Sequence, residues 1–598
     1  LPAIAPARGA LALRVVSPAA RQALPARDST FVFGSVGSGD ASLAINGAPV
    51  PVAPNGAFLA FLPIPPASAP RYELVATRGA DTARLTVPVR PAGRRPLAAD
   101  GALAVDSGSV APTGRLLVRG DEMVRVSVRA PANATVWLEG GDSAAATGRR
   151  LAPLVNGAAA RGIPMPPGGD AGATWATELP AALLERAAPA RVVVARGGDT
   201  VRLRIARPEL VPPPSAAAAA RGWVQLGRIA AVPDTDRVIV GRPTPGGTYK
   251  YFFLPGTVVE RTGAQGGATR VRLDEQLEVW VADDDVLPLP PGFAPARRVA
   301  GGARVTPAAG WVDLYLPLGD RAPYQVIERG RDVELVLHGA ALSPEILPIL
   351  GTAGDSLVRQ VAWEQEATDR VRVTLRLTRE PYGHLVLWDA ARGGMVLRVR
   401  RAPAVDAARP LAGLTIAVDA GHPPGGATGP TGLWEPVAVL PVAERVRALL
   451  AGRGAAVVMT RTSADAVPLG DRAVIARRAG AHAFVSIHLN AFPDGVNPFA
   501  NHGTSTLFFH QHSEPLARLV QAEMVRRFRL PDLGIHYQNL AVARPPWMPA
   551  ILTEGMFLMF PEQEAALRTP AGQELYARAV ADGVERYFRS LARGEGGQ

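Results

Sequence analysis

The chain has 598 residues, no cysteine, 62 glycines, 57 prolines and a net charge of +11. That length implies about four domains, and the missing cysteines exclude a disulfide scaffold, a Cys-ligated zinc finger, an iron–sulfur cluster and a cysteine nucleophile. Lys250 is the single lysine, and the arginines are spread thinly, mostly before residue 411. This is not the dense basic patch with interleaved aromatics that nucleic-acid binding needs, so no nucleic-acid partner is expected. The diffuse charge fits either an anionic polymer as partner or merely solvated arginine. No run of 18 apolar residues occurs, so no membrane span is expected.

Residues 1–92 read as a small β-sandwich. Ala41–Ile45 alternates, Asn46–Gly47 is a type I′ hairpin signal, and Ala48–Val52, Ala57–Leu62, Tyr72–Thr77 and Ala83–Val89 follow as strands. The pattern resembles Ig-like modules appended to secreted bacterial enzymes. A Pro/Arg joint at 91–96 leads to a second β-rich domain, 97–210, with strands at Arg115–Arg119, Met123–Val128, Thr135–Glu139 and Arg191–Ala195. The Pro- and Ala-rich stretch 211–221 reads as a linker.

Residues 222–290 carry short strands at Arg237–Val240, Tyr249–Leu254, Thr269–Leu273 and Gln276–Val281, separated by Gly-Gly pairs, and fit an SH3-like barrel. Residues 303–402 are again strand-like, at Trp311–Pro317, Val333–His338, Val371–Thr378, His384–Trp388 and Met395–Val399. This segment resembles the AMIN-like β domains that precede cell-wall amidases.

From residue 413 to 592 the pattern becomes α/β. Short apolar runs at Leu414–Val418, Ala455–Thr460, Ala483–Ile487, Thr506–Phe509 and Ala550–Thr553 alternate with helical stretches at Glu435–Leu450, Asp471–Ala479, Glu514–Phe528 and Gly572–Leu591. Apolar runs of this length read as strands buried on both faces. The alternation predicts a doubly wound, mainly parallel sheet. Pro441 lies far enough inside the first helix to predict a kink or a late start.

Seven of the nine histidines fall in the last third of the chain. His422 follows the strand Leu414–Val418 closely, in Val418-Asp419-Ala420-Gly421-His422, and His488 follows Ala483–Ile487 at once, in Ser486-Ile487-His488-Leu489-Asn490. Groups just past the carboxyl ends of such strands converge in one crevice. Glu435 opens the helix after the Gly-rich loop Pro423–Gly432, which can fold its carboxylate over the same edge. Two imidazoles and one carboxylate make a three-ligand zinc site with a position left for water. Singly, each residue reads as readily as a hydrogen-bonded structural histidine or a helix-terminal charge.

Residues 413–592 resemble the zinc-dependent N-acetylmuramoyl-L-alanine amidases of the amidase-3 type. The resemblance rests on Val418–His422, Gly432-Leu433-Trp434-Glu435, Thr460-Arg461, Arg472, Ser486–Asn490 and Pro549–Phe557, in that order and spacing. It implies His422, Glu435 and His488 as ligands of Zn2+ and Glu554 as the catalytic carboxylate. It implies a peptidoglycan hydrolase that cuts the amide bond between N-acetylmuramic acid and L-alanine. Such an enzyme is expected in the periplasm or outside the cell, as a monomer, with the β domains serving wall targeting. The chain opens on Leu1, and Ala10–Val16 is too short and too interrupted for a signal peptide. A mature form is therefore expected, its leader removed.

The sequence departs from the family where the loop after His422 has no acidic residue, where Pro436 follows Glu435, and where His482 replaces an acidic residue. Arg544 is a candidate ion-pair partner for Glu554. His502, His510, His512 and His536 have no assigned role, and His510 and His512 read as surface residues. Two other readings stay open: a wall-binding protein with a retired amidase fold, and a different zinc peptidase. Only twelve residues, two of them proline, separate Asn490 from Gly503. A helix that plugs the site does not fit there, and residues 405–598 alone are expected to be active.

Overall fold

The computed structural model describes residues 1–594 apart from 25–27, 67, 92–96, 98–101, 141–147, 155–171, 212–221, 230–237 and 344–354. The expected joint at 91–96 and linker at 211–221 fall outside the described residues except for Pro91 and Val211. Everything before residue 403 is β-rich, with one short α-helix, Ala181–Arg186, and a 3-10 turn, Asp283–Asp285, among the described residues. No described helix is long and apolar enough to cross a membrane.

The β region holds four separate apolar cores. The first lies between a sheet built on Ser29–Ser35 and Ala57–Pro63 and one built on Ser42–Ile45 and Arg71–Arg78. Asn46 and Gly47 both take positive φ, as the predicted hairpin turn requires. The second core lies between two four-stranded sheets and includes Val126, Val136, Trp175 and Val192. The third centres on Phe253, Val271 and Val281, and the fourth on Leu314, Leu335, Val373 and Leu397. Strand pairing runs across these units: Leu116–Arg119 pairs with Thr257–Gln265, and Phe252 bridges to Tyr324.

A buried ion cluster joins the third and fourth units. Asp274 accepts from Arg370 Nε at 2.8 Å and lies 2.6 Å from His338 Nδ1, and Asp274 and His338 are both only 2% exposed. Burial alone would raise the Asp274 carboxyl. The His338 contact, the Gln276 N–H and Arg370 outweigh it and hold it down to about 2.

In the last domain, elements are numbered from its start. Strands β1 (Thr415–Ala420), β2 (Ala456–Met459), β3 (Ala483–Asn490), β4 (Thr504–Phe508), β5 (Asp532–Tyr537) and β6 (Ala550–Phe557) form one sheet in the order β2-β1-β3-β6-β4-β5. Pairings are parallel except between β4 and β6, so the sheet is mixed at one edge. The helices are α1 (Glu435–Gly452), α2 (Leu469–Arg478), α3 (Glu514–Phe528), α4 (Pro561–Leu567) and α5 (Pro570–Ala592). Helix α1 runs through Pro441, where the kink or late start was expected. A proline in the second turn forfeits a backbone bond, and Val439, Val442, Ala443 and Val446 bury on the core side around it.

The period of two along each strand splits its side chains between two cores. Ile416, Val418, Val485 and Ile487 pack with α1, α3 and α5. Ala417, Phe484, Ala550 and Leu552 pack on the other face with Ala476 of α2, Trp547 and Leu385. Leu385 belongs to the preceding β domain, which therefore closes part of this face in place of a helix. His384 N–H donates to Pro546 O at 2.7 Å, and the Arg400 guanidinium donates to the carbonyls of Ala481 and Trp547. The first β unit docks as well: Phe31, Phe33 and Leu59 pack on Phe557, Met559 and Phe560.

The Asp274 cluster yields a first expectation. Asp274→Ala leaves His338 and Arg370 without their shared anion and should cost about 3 kcal/mol, read as a lowered thermal transition. In the native protein this contribution is present above pH 3.8, the ordinary value. It is lost as pH falls through the folded value of about 2. A variant that melts like the parent at neutral pH shows that the cluster contributes nothing.

Candidate active site

Strand β1 ends at Ala420, and His422 lies just beyond it with a left-handed φ of 54°. Strand β3 runs on to Asn490, so His488 stands within the strand rather than after it. The same correction applies to Glu554: β6 continues to Phe557, and Glu554 is in parallel register with His488. The longer strands still bring all these groups to one edge. Gly421 makes the convergence possible, because a Cβ there would lie 2.5 Å from the His488 imidazole.

Glu435 opens α1 and is 2% exposed. Its Oε2 accepts from Ala427 N–H and its Oε1 from Leu489 N–H, each at 2.9 Å. His422 Nδ1 donates to the Pro424 carbonyl at 2.8 Å, so the neutral ring carries its lone pair on Nε2. That Nε2 faces Glu435 Oε2 at 3.4 Å, while His488 Nδ1 lies 3.2 Å from Oε1. One donor atom from each of the three residues lies within 4.8 Å of the others. A lone pair aimed at a carboxylate is unfavourable unless a cation or proton lies between them. Two imidazoles and one carboxylate so arranged fit a divalent zinc-type ion with a position to spare.

The two site carboxylates titrate in opposite directions. Burial works to raise Glu435, but the His488 contact, both imidazoles and the Ala427 N–H outweigh it and hold it below the ordinary carboxylate range. Burial pushes Glu554 up to about 8, opposed by His488 and reinforced by the charge of Glu435. The buried Oε2 of Glu554 has no hydrogen-bond partner among the described residues. Arg544, the predicted ion-pair partner, instead donates to Asn539 and lies over the rings of Tyr249 and Phe252.

Two arginines fix the His422 loop. Arg472 of α2 donates to Asp419 Oδ1 at 2.7 Å and to the carbonyls of Ala420, His422 and Pro423. Arg461 donates to the carbonyls of Ala420, Gly421 and Pro436. Thr460 and Ser486 hydroxyls complete the shell of Asp419. On the other side, buried Glu564 accepts from Thr431 and Leu433 N–H and anchors the Gly-rich loop. The Tyr576 hydroxyl donates to the His488 carbonyl at 3.0 Å and accepts from Gly555 N–H, tying α5 to β3 and β6. Sequence reading missed Glu564 and Tyr576. The helical spacing of Tyr576 with Val580, Val584 and Tyr587 marks a buried face but not a role at the site.

The remaining histidines divide. His482 Nδ1 accepts from Thr415 N–H and serves the sheet. His502 stacks on Phe560 at 4.4 Å, and His536 is exposed. Of His510 and His512, read from sequence as surface, His512 is buried and His510 half-buried, the two rings stacked at 5.2 Å beside the neighbouring β domain. The loop between Asn490 and Gly503 contains turns and no helix, and His422 keeps 28% of its side chain exposed.

Two substitutions test the scaffold without touching a ligand. Gly421→Ala should displace the His488 ring and sharply reduce metal bound per chain, with the circular dichroism unchanged. Arg472→Met frees the His422 loop and leaves Asp419 buried without its cation. It should weaken metal binding ~10–100-fold, the range for residues that orient ligands, and lower the melting temperature. Parental metal affinity in both variants would rule out this positioning role.

The comparisons with known proteins agree on this domain. Residues 416–586 match the family described as N-acetylmuramoyl-L-alanine amidase. The chain is 32% identical over 187 residues to the probable cell wall amidase LytH of Staphylococcus epidermidis, covering 30% of this chain and 60% of that protein. It is 31% identical over 210 residues to the uncharacterized protein YqiI of Bacillus subtilis, covering 34% of this chain and 98% of that one. Among solved structures, the amidase AmiC2 of Nostoc punctiforme is 31% identical over 29% of this chain and 96% of its own, with a TM-score of 0.27. The chain thus spans about 60% of the LytH relative but nearly all of YqiI and AmiC2. Residues 416–586 match that family and the chain covers 98% of a relative 31% identical to it, so through its C-terminal α/β domain the chain belongs to the N-acetylmuramoyl-L-alanine amidase family.

Proposed function

We propose that this protein hydrolyses the amide bond between N-acetylmuramic acid and the L-alanine of the peptidoglycan stem, using Zn2+ held by His422, Glu435 and His488. The observation that carries the reading is the convergence of these three donors beside the partnerless buried oxygen of Glu554. When bound, zinc supplies Lewis acidity that polarises an amide carbonyl and brings the pKa of a water to roughly 7. Glu435, kept anionic by two N–H donors and two imidazoles, neutralises part of the ion's charge. His422 is oriented as a ligand by its bond to Pro424 O.

Glu554 acts as the proton carrier. Its carboxylate takes a proton from the attacking water and returns it to the nitrogen of the leaving amine. Cleavage of the C–N bond then leaves a carboxylate on the lactyl group and a free amino group on L-alanine. A carboxyl pushed up to about 8 suits this exchange near neutral pH. The presence of all four residues argues against a retired fold, and a binuclear peptidase would need more bridging carboxylates.

The β region would target the wall, with an Ig-like unit at 1–92, a second β-rich unit at 97–210, an SH3-like unit at 222–290 and an AMIN-like unit at 303–402, ahead of the catalytic domain at 413–592. The alternating β patterns and four separate cores support that division. The chain would act outside the cytoplasm, as a monomer, with peptidoglycan rather than nucleic acid as its partner.

Purified wall incubated with the protein should release stem peptides with new L-alanine amino termini, and chelator should abolish their appearance. New termini at another bond would overturn the assignment of substrate. Glu554→Gln should keep its zinc and lose turnover by at least ~100-fold. Near-parental turnover in that variant would remove Glu554 from the role of proton carrier.

A further inference from the structure

A second cluster of metal-type donors lies away from the catalytic triad, where the last domain meets the preceding β domain. Glu328, on the strand Tyr324–Arg329, and His384, on the strand His384–Asp389, come from the β side. His510 follows β4, and His512 sits in the short turn Gln511–Ser513, on the α/β side. One donor atom from each of the four residues lies within 4.8 Å of the others.

The hydrogen bonds around the cluster set its tautomers. His512 Nε2 faces the Met548 carbonyl at 3.2 Å, and His510 Nε2 faces the Arg544 carbonyl at 2.9 Å. A carbonyl only accepts, so both Nε2 atoms carry the proton, and the neutral rings have their lone pairs on Nδ1. His512 Nδ1 then lies 2.6 Å from Glu328 Oε1, a lone pair against a carboxylate oxygen. The same Oε1 is 3.0 Å from His384 Nδ1. The other oxygen, Oε2, accepts from His512 N–H at 3.0 Å. A cation relieves this contact for the whole group at once, because a donor atom from each of the four residues converges there and the rings of His510 and His384 lie close to that of His512.

We propose that Glu328, His384, His510 and His512 form a second, structural binding site for a divalent zinc-type ion that clamps the β domain onto the catalytic domain. Three imidazoles and one carboxylate are a complete tetrahedral set, and four protein ligands leave no position for water, as in structural rather than catalytic sites. The Met548 and Arg544 carbonyls orient two of the ligands from behind. The site borders a cavity of about 660 Å³, also lined by Phe252, Tyr537 and Arg544, through which an ion can reach it. Two ligands come from each domain, so the ion's binding energy becomes energy of domain docking.

The test is zinc content by mass spectrometry on the full chain, stripped with chelator, reloaded with zinc and desalted. The parent should hold two ions, His422→Ala one, His512→Ala one, and the double variant none. One ion in the parent that disappears in His422→Ala and survives in His512→Ala would overturn the second site. One ion with the opposite behaviour would uphold the second site and overturn the catalytic assignment instead. Glu328→Gln preserves size and hydrogen bonding and guards against misfolding of the histidine variant. Loaded with cobalt in the His422→Ala background, the intact cluster should give visible d–d absorption of a tetrahedral ion, and Glu328→Gln should reduce or shift it. An unchanged spectrum would exclude Glu328 as a ligand and overturn the four-residue site.

Discussion

The ion pair between Asp419 and Arg472 is the constraint on which the site depends. Both side chains are almost wholly withdrawn from solvent. Removing two charges from water costs more than their attraction returns unless every remaining donor and acceptor is matched. Here they are matched: Asp419 also takes the hydroxyls of Thr460 and Ser486, and Arg472 spends its other N–H groups on backbone carbonyls. Those carbonyls belong to the segment that carries His422. The pair fixes a backbone path, including a left-handed residue that would cost roughly 1–2 kcal/mol on its own. The gain lies in ligand geometry more than in stability.

The same economy of placement separates the two carboxylates. Glu435 and Glu554 share His488 as a neighbour, yet Glu435 receives two backbone N–H groups and Glu554 Oε2 receives none. One is held as an anion and the other is pushed toward its protonated form. Environments that drive like groups apart assign them different tasks. The proposed division into ligand and proton carrier follows from this contrast.

Much of the site was legible because its chemistry sits in short local motifs. His422 and His488 follow apolar runs, and Glu435 heads a helix, so their convergence can be read from topology alone. Strand length was not legible. Ile487-His488-Leu489-Asn490 and Thr553-Glu554-Gly555 continue their strands because neighbouring strands pair with them, which is a property of the tertiary structure. Arg461 and Arg472 stood out as motif residues, but only packing reveals that they bind the His422 loop. His510 and His512 were misread because exposure was judged within one domain, while the cover comes from another. Phe31 and Phe33 did carry a usable signal. With Val32 between them, they make an antiparallel strand apolar on both faces, which implies a covered outer face.

That covering bears on how the domains relate. The loop between Asn490 and Gly503 contains turns and no helix, and His422 keeps 28% of its side chain exposed. A loop without a plug helix does not make residues 405–598 self-sufficient, however. One face of the sheet, around Phe484 and Trp547, is completed by Leu385, with Arg400 bonded to the carbonyls at its margin. The end of β6 lies beneath Phe31, Phe33 and Leu59, and Gln22 donates to Asp494 in the loop beside the site. Severing the β region would expose both apolar seams at a cost set by their area. The β domains are thus part of the catalytic domain's own packing, and any role they have toward the wall is performed by surfaces that these seams leave free.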